Sequence, residues 1–247
     1  MSVNDPTPPL RWSGDSELFT LMRERLFSAV IGDVLDQLGF RHQFLPQALK
    51  PVLPSMVLVG RAMPVLEADC YTDTDTDTDT DHDSDAGQTE LSRRPFGLMF
   101  QALDDLRADE IYVATGSSLR YALWGGLMST RAAALGAAGA LLDGYHRDTA
   151  EILQRGFPTF SRGSYAQDQG PRGKVVDWRV PVEIDGVRID PGDIVYGDLD
   201  GVLVIPRAIE VEAVQGAWQK VMTESQVRIA IEGGMSTVEA FARFGVM

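Results

Sequence analysis

Arg147 and Asp148 stand side by side in the stretch GALLDGYHRD, and twenty residues separate that pair from Gly126 in WGGLMST. The arginine offers a bidentate fork for a carboxylate or an enolate. The aspartate offers a hard oxygen for Mg²⁺. Gly125, Gly126, Leu127 and Met128 precede an alanine-rich helical pattern, so their backbone N–H groups lie at a helix start, which suits a carboxylate. In a β-α-β arrangement, the loop before the helix and the loop after the next strand share the edge where α/β proteins place ligands. The two stretches should therefore face each other and hold an anionic, oxygen-rich small molecule on a metal. Taken alone, the residue types leave a plainer reading open. Adjacent Arg-Asp pairs also make surface salt bridges, and Gly-Gly turns are common.

The elements that must position these groups can be read from periodicity. DSELFTLMRERLFSAVIGDVLDQLGF carries Leu18, Leu21, Met22, Leu26 and Phe27 at helical spacing. Gly32 is expected to break it into two helices, and Gly39 to end the second. MVLVGRAMPVLEADC reads as strand, PFGLMFQALDDL as amphipathic helix and EIYVATG as buried strand. The stretch from Gly125 to Leu153 reads as turn, helix, strand, turn, helix, with Gly136 as a helix stop. From residue 170 the texture turns to strands punctuated by Asp185-Gly186, PGD and DLDG turns, and the tail is helical again. The expectation is an arm over residues 1–15 and one α/β domain over 16–247 with a β-rich second half.

Composition narrows the function classes. Of 247 residues, 44% are hydrophobic and 23% charged, as in an ordinary globular chain. The net charge is −14, and seven of the acids stand in TDTDTDTDTDHDSD at residues 72–85. No basic stripe is present, so nucleic acid is not an expected partner. The longest apolar stretch is too short for a bilayer, and no signal pattern opens the chain. The one cysteine, Cys70, fits a reducing cytoplasm. The Thr-Asp tract does not fit a calcium loop. Counted from Asp73, the sixth position is Thr78 rather than glycine and the twelfth is Ser84 rather than glutamate. It is expected to be a solvated loop, with His82 a passenger.

IGDVLDQLG, WGGLMST, GALLDGYHRD followed by AE, PGDIVYGDLDGVLVIP and the tail ESQVRIAIEGGMSTVEAFARFGVM together resemble the RraA-like family. That family includes the class II 4-hydroxy-4-methyl-2-oxoglutarate/4-carboxy-4-hydroxy-2-oxoadipate aldolases. The likeness runs from about Leu18 to the C-terminus. It implies a layered β/β/α fold of the swivelling-domain type, assembled as homotrimers or homohexamers. It also implies that Arg147 binds substrate, that Asp148 holds a divalent metal such as Mg²⁺ or Mn²⁺, and that the amides of Leu127 and Met128 hold a pyruvyl carboxylate. In the aldolases a glutamate from the neighbouring subunit completes the site, and Glu224 is the candidate here. Glu224 interrupts an apolar stripe formed by Val214, Trp218, Val221, Val227 and Ile231, where a carboxylate needs a partner. An interface salt bridge would serve it equally well. One departure stands out: the aldolases carry an acid at the position of Gly126.

The leading expectation is a metal-dependent carbon–carbon lyase on a small 2-oxo acid, by retro-aldol cleavage, oxaloacetate decarboxylation or both. The rivals are a non-enzymatic binding protein of the ribonuclease-regulator kind and a dehydratase-like lyase on sugar acids. Among lesser residues, Asp143 is placed to orient Arg147. Asp198 and Asp200 are either supporting acids or turn formers. His146 and Trp124 are expected to be structural. Ser236 and Glu239 have capping-box spacing.

Overall fold

The computed structural model describes residues 9–70 and 90–246. The Thr-Asp tract and residues 1–8 of the expected arm lie outside the described residues. Two helices come first, α1 (Asp15–Arg25) and α2 (Ser28–Gln37), followed by a short strand β1 (Lys50–Pro51) and the long β2 (Leu58–Asp69). After the helical turn α3 (Glu90–Arg93) come α4 (Met99–Asp104), β3 (Glu110–Thr115) and β4 (Ala122–Trp124). The central unit is α5 (Gly126–Ala134), β5 (Gly139–Leu142), β6 (Tyr145–His146), α6 (Thr149–Arg155) and β7 (Thr159–Ser161). The β-rich part holds β8 (Gly173–Trp178), β9 (Val182–Ile184), β10 (Val187–Ile189), β11 (Ile194–Gly197) and β12 (Val202–Ile205). The long α7 (Glu210–Glu232) and α8 (Thr237–Phe244) close the chain.

The main sheet runs β1-β7-β5-β3-β2-β11-β12, with β8 also pairing β2. The β2, β3, β5 and β7 neighbours are parallel, and the other pairings are antiparallel. The sheet is nearly closed. Lys50 on one edge donates to the carbonyls of Leu199 and Asp200 in the β11–β12 turn, and Leu45 donates to Val202 of β12. Alternation along the strands sends successive side chains into different cores. On β3, Ile111 and Val113 face the interior with the β9–β10 hairpin, whereas Tyr112 and Ala114 face α4, α5 and α6. On β11, Ile194 and Tyr196 face α1, α2 and α7. This is the layered β/β/α arrangement with helical ends that the resemblance implied.

Two local features depart from expectation or sharpen it. The first helical stretch breaks at Leu26–Phe27, not at Gly32. Gly32 lies buried inside α2, where a Cβ would fall on the Phe44 ring, so the glycine serves close packing rather than a chain break. The break itself is held by Asp198, whose carboxylate accepts from the Ser28 N–H and hydroxyl at 2.7 Å each. In the β9–β10 hairpin, Asp185 and Gly186 have φ of 51° and 81°, the pair of positive values that a tight two-residue turn demands. Leu10 lies against α7, where it and the Gln215 amide exchange hydrogen bonds at 2.9 and 2.6 Å.

Candidate active site

A two-stranded parallel sheet, separate from the main one, brings the site together. β4 and β6 pair through Ala122 with Tyr145 and Trp124 with His146. Arg147 N–H extends the ladder to the Trp124 carbonyl at 2.9 Å. The chain therefore leaves β4 into Gly125 and α5 beside the point where it leaves β6 into Arg147 and α6. A single β-α-β unit would set these two loops at one sheet edge. The structure brings them together through this small pair instead, because β4 does not join the main sheet.

Asp148 has φ 57° and ψ 39°, in the left-handed region that costs a non-glycine residue roughly 1 kcal/mol. Its carboxylate oxygen Oδ2 accepts from the Gly126 N–H at 3.0 Å, and that bond crosses between the two loops. Strain of this kind clusters at functional sites, although Asp185 adopts the same region in a plain hairpin turn. The first intrahelical bond of α5 runs from Ser129 N–H to the Gly125 carbonyl at 3.0 Å. With Gly126 bonded to Asp148, the amides of Leu127 and Met128 are left at the helix start without an intrahelical carbonyl.

Arg147 is half-buried. Its Nη1 lies 2.7 Å from Asp168 Oδ1 and its Nε 3.9 Å from Asp148 Oδ2. Asp168, not Asp143, is therefore the acid that orients this arginine. Asp143 is engaged elsewhere, with Arg162 at 2.6 Å and the Thr115 hydroxyl at 3.0 Å. A cavity of about 300 Å³ is lined by Gly125, Leu127, Met128, Arg147 and Asp148, with Asp168 and Gln169 beside them. Arg147 and Asp148 also line a second opening with Thr149, Ser164 and Tyr165.

The neighbourhood of Gly126 holds an acid that sequence reading passed over. A Cβ at Gly126 would fall on the Glu151 carboxylate, and one at Gly125 would approach Asp148 Oδ2 to 2.6 Å. Two carboxylates thus converge on the two glycines. The missing side chain at 126 is the space that Glu151 occupies. Glu151 stands three residues after Asp148, in the first turn of α6, while Asp148 caps that helix from the left-handed region. Asp148 and Glu151 are hard-oxygen donors open to solvent, which suits Mg²⁺ or Mn²⁺ with water completing the shell. Among the described residues, no group of three or more His, Cys, Asp or Glu gathers as a closed metal cage.

The remaining candidates separate. Glu224 lies on α7 and lines a different groove with Val227, Arg228 and Ile231, so it does not meet Arg147 within one chain. His146 is buried, with Nδ1 2.8 Å from Ser161 Oγ and Nε2 3.0 Å from Thr149 Oγ1. Burial holds its pKa below the usual value, which fits a neutral structural ring. Trp124 is core: it stacks on Phe157 and donates to Ser129 Oγ at 2.7 Å. Asp198 forms its own turn, accepting from Asp200 and Gly201 N–H as well as from Ser28. Ser236 and Glu239 form the reciprocal capping box of α8. No helix of the described residues is long and apolar enough to cross a membrane.

Comparison with known proteins converges on one group. Residues 28–204 match the RraA-like family, described as Aldolase/RraA. A Halalkalibacterium halodurans protein named "Putative 4-hydroxy-4-methyl-2-oxoglutarate aldolase" is 32% identical over 133 residues, covering 54% of this chain and 63% of that one. An uncharacterized protein from Pseudomonas syringae pv. tomato has a similar structure, with TM-score 0.72 and 26% identity, covering 95% of this chain and 99% of that one. Streptomyces coelicolor RraAS2, described as an unusual member of the RNase ES inhibitor RraA protein family, has TM-score 0.71 at 22% identity. It covers 88% of this chain and 99% of its own, a likeness of fold alone. The chain spans between 31% and 63% of the length of three curated relatives it matches.

Proposed function

This chain belongs to the RraA-like family, and from that premise we propose that it is a divalent-metal-dependent lyase that cleaves a small 2-oxo acid and releases pyruvate. The observation that carries the reading is the convergence of Asp148, Glu151 and Arg147 on the Gly125–Gly126 start of α5. Asp148 would hold Mg²⁺ or Mn²⁺, which supplies Lewis-acid stabilisation of developing negative charge. The amides of Leu127 and Met128 bind the substrate carboxylate. The guanidinium of Arg147, steadied by Asp168, donates to the 2-oxo oxygen and stabilises the charge that grows there as the C3–C4 bond breaks.

In the retro-aldol direction, the C4 hydroxyl proton passes to a carboxylate and the C3–C4 electrons move toward C3 and the 2-oxo oxygen. C3 then takes a proton to give pyruvate. Glu151 is the carboxylate placed for the proton transfer in this chain. Glu224 joins the scheme from a neighbouring copy in a homotrimer or homohexamer. With CO₂ as the departing group, the same charge arises at the same oxygen, so oxaloacetate decarboxylation belongs to the same site.

The test is pyruvate release coupled to lactate dehydrogenase. The substrates are oxaloacetate and a panel of 4-hydroxy-2-oxo acids that includes 4-hydroxy-4-methyl-2-oxoglutarate. The expected outcome is turnover with Mg²⁺ or Mn²⁺ that chelation abolishes. Release no faster than with the metal alone, across the whole panel, would remove the lyase reading in favour of a binding protein.

A further inference from the structure

The cavity that holds Arg147 and Asp148 extends away from them along apolar walls. Phe96, Met99, Phe100 and Leu103 come from α4 and the turn before it, and Leu127 and Met128 from α5. Among the described residues lining it, Arg147 is the one cation, and Asp148 and Asp168 stand beside that cation. The proposed head of the substrate uses both Arg147 and the helix start. A second carboxylate further along the substrate would lie against aromatic and aliphatic side chains with no cation to meet it, and burying an unpaired charge there is costly.

From this we infer that the substrate carries an apolar substituent, alkyl or aryl, beyond its 2-oxo-acid head, and that the wall formed by α4 and α5 selects it. The inference rests on the lyase reading for the identity of the head. The reaction it names is cleavage of a 4-hydroxy-2-oxo acid bearing that group at C4. With phenyl as the group, the C3–C4 bond breaks and the hydroxyl proton leaves through a base. The oxygen becomes the carbonyl of benzaldehyde, and C3 gains a proton to complete pyruvate, with no other reactant. Phe100 is 54% exposed and meets Phe96 edge to face at 5.7 Å, so it forms the outer part of the wall and can be changed without opening the core.

The experiment separates binding from turnover. With Mg²⁺ present, calorimetry compares 2-oxo-4-phenylbutanoate, 2-oxoglutarate and pyruvate, none of which has a 4-hydroxyl to cleave. The phenyl compound is expected to bind at least about tenfold more tightly than either of the others, the discrimination an apolar pocket gives. In Phe100→Arg, 2-oxoglutarate should gain affinity and the phenyl compound should lose it. Pyruvate release from 4-hydroxy-2-oxo-4-phenylbutanoate should exceed that from 4-hydroxy-4-methyl-2-oxoglutarate by a similar factor in kcat/KM. If the phenyl compound binds tightly but no panel member releases pyruvate, the lyase reading fails and the apolar subsite stands. If pyruvate is released but 2-oxoglutarate binds as well as the phenyl compound, the lyase reading stands and the subsite is overturned. Equal affinity for the phenyl compound and pyruvate would also overturn it.

Discussion

Arg61 and Arg147 each sit among carboxylates, yet the two regions are built for opposite ends. Arg61 is mostly buried on β2, and its guanidinium meets both oxygens of Asp15, both oxygens of Glu210 and the Gly192 carbonyl. Those bonds tie α1, α7 and the turn before β11 to the sheet, and the Arg61 hydrogen bond holds Asp15 below the usual carboxylate range. Among the described residues Arg147 has one carboxylate within 3 Å, Asp168, and its side chain is 39% exposed beside a cavity. A saturated guanidinium is a clamp. One with donors to spare, next to a strained aspartate and an open helix start, is prepared for something that is not part of the chain. The lesson is that counting Arg–carboxylate pairs does not separate structure from site, whereas counting the donors left over does.

The largest expected effect falls on the open region. Asp148→Asn keeps a residue that tolerates the left-handed backbone and can still accept from Gly126 N–H, but it removes the charge. Pyruvate release should fall at least about hundredfold, while the melting temperature stays within about 2 °C or rises, as replacement of a site residue often allows. An unchanged rate would remove Asp148 from the proposed chemistry.

Arg61→Met should give the reverse pattern. It leaves Asp15 and Glu210 facing each other without the guanidinium between them, at a cost of about 2–3 kcal/mol once their partial exposure is allowed for. In a chain of this size that lowers the melting temperature by roughly 4–12 °C. Pyruvate release per folded molecule should not change. A loss of rate without a loss of stability would break the comparison.

A smaller effect lies behind the cavity. Glu67 is buried, accepts from the Gln169 side chain at 2.6 Å, and leaves Oε1 without a partner. Burial pushes its pKa up to about 8. Its folded pKa exceeds the unfolded value of about 4.3, so between those values the unfolded chain sheds a proton that the folded chain keeps. Stability therefore falls as pH rises through that window. Glu67→Gln removes the penalty, so its gain in melting temperature should be several degrees larger at pH 8 than at pH 5. Equal gains at both pH values would show that Glu67 does not titrate there.

Much of this was legible without coordinates. The Asp185–Gly186 hairpin, the α8 capping box and the helix–strand alternation around Gly125–Leu153 follow from short-range rules, because turn and cap preferences depend on a few adjacent residues. Gly32 misled for the same reason: a glycine that breaks a helix and one that admits a neighbour's ring read alike in one dimension. At the site, Arg147, Asp148 and the Gly125–Met128 loop were within reach because their elements are close in the chain. Glu151 follows Asp148 by three residues, but only the fold shows that its carboxylate reaches Gly126.

By itself, then, the sequence determined the local elements, the family likeness and the side-chain types that can bind an anion and a hard cation. The tertiary structure alone decided that β4 pairs with β6, that Asp168 rather than Asp143 steadies Arg147, and that Glu151 fills the space beside Gly126. It also alone decided that α4, whose Met99 and Leu103 precede Arg147 by more than forty residues, forms the apolar wall of the same cavity. The physical reason is that side-chain chemistry and local backbone preference are properties of neighbours in the chain. Which donor is saturated, and which is left free, depends on what the folded sheet brings beside it.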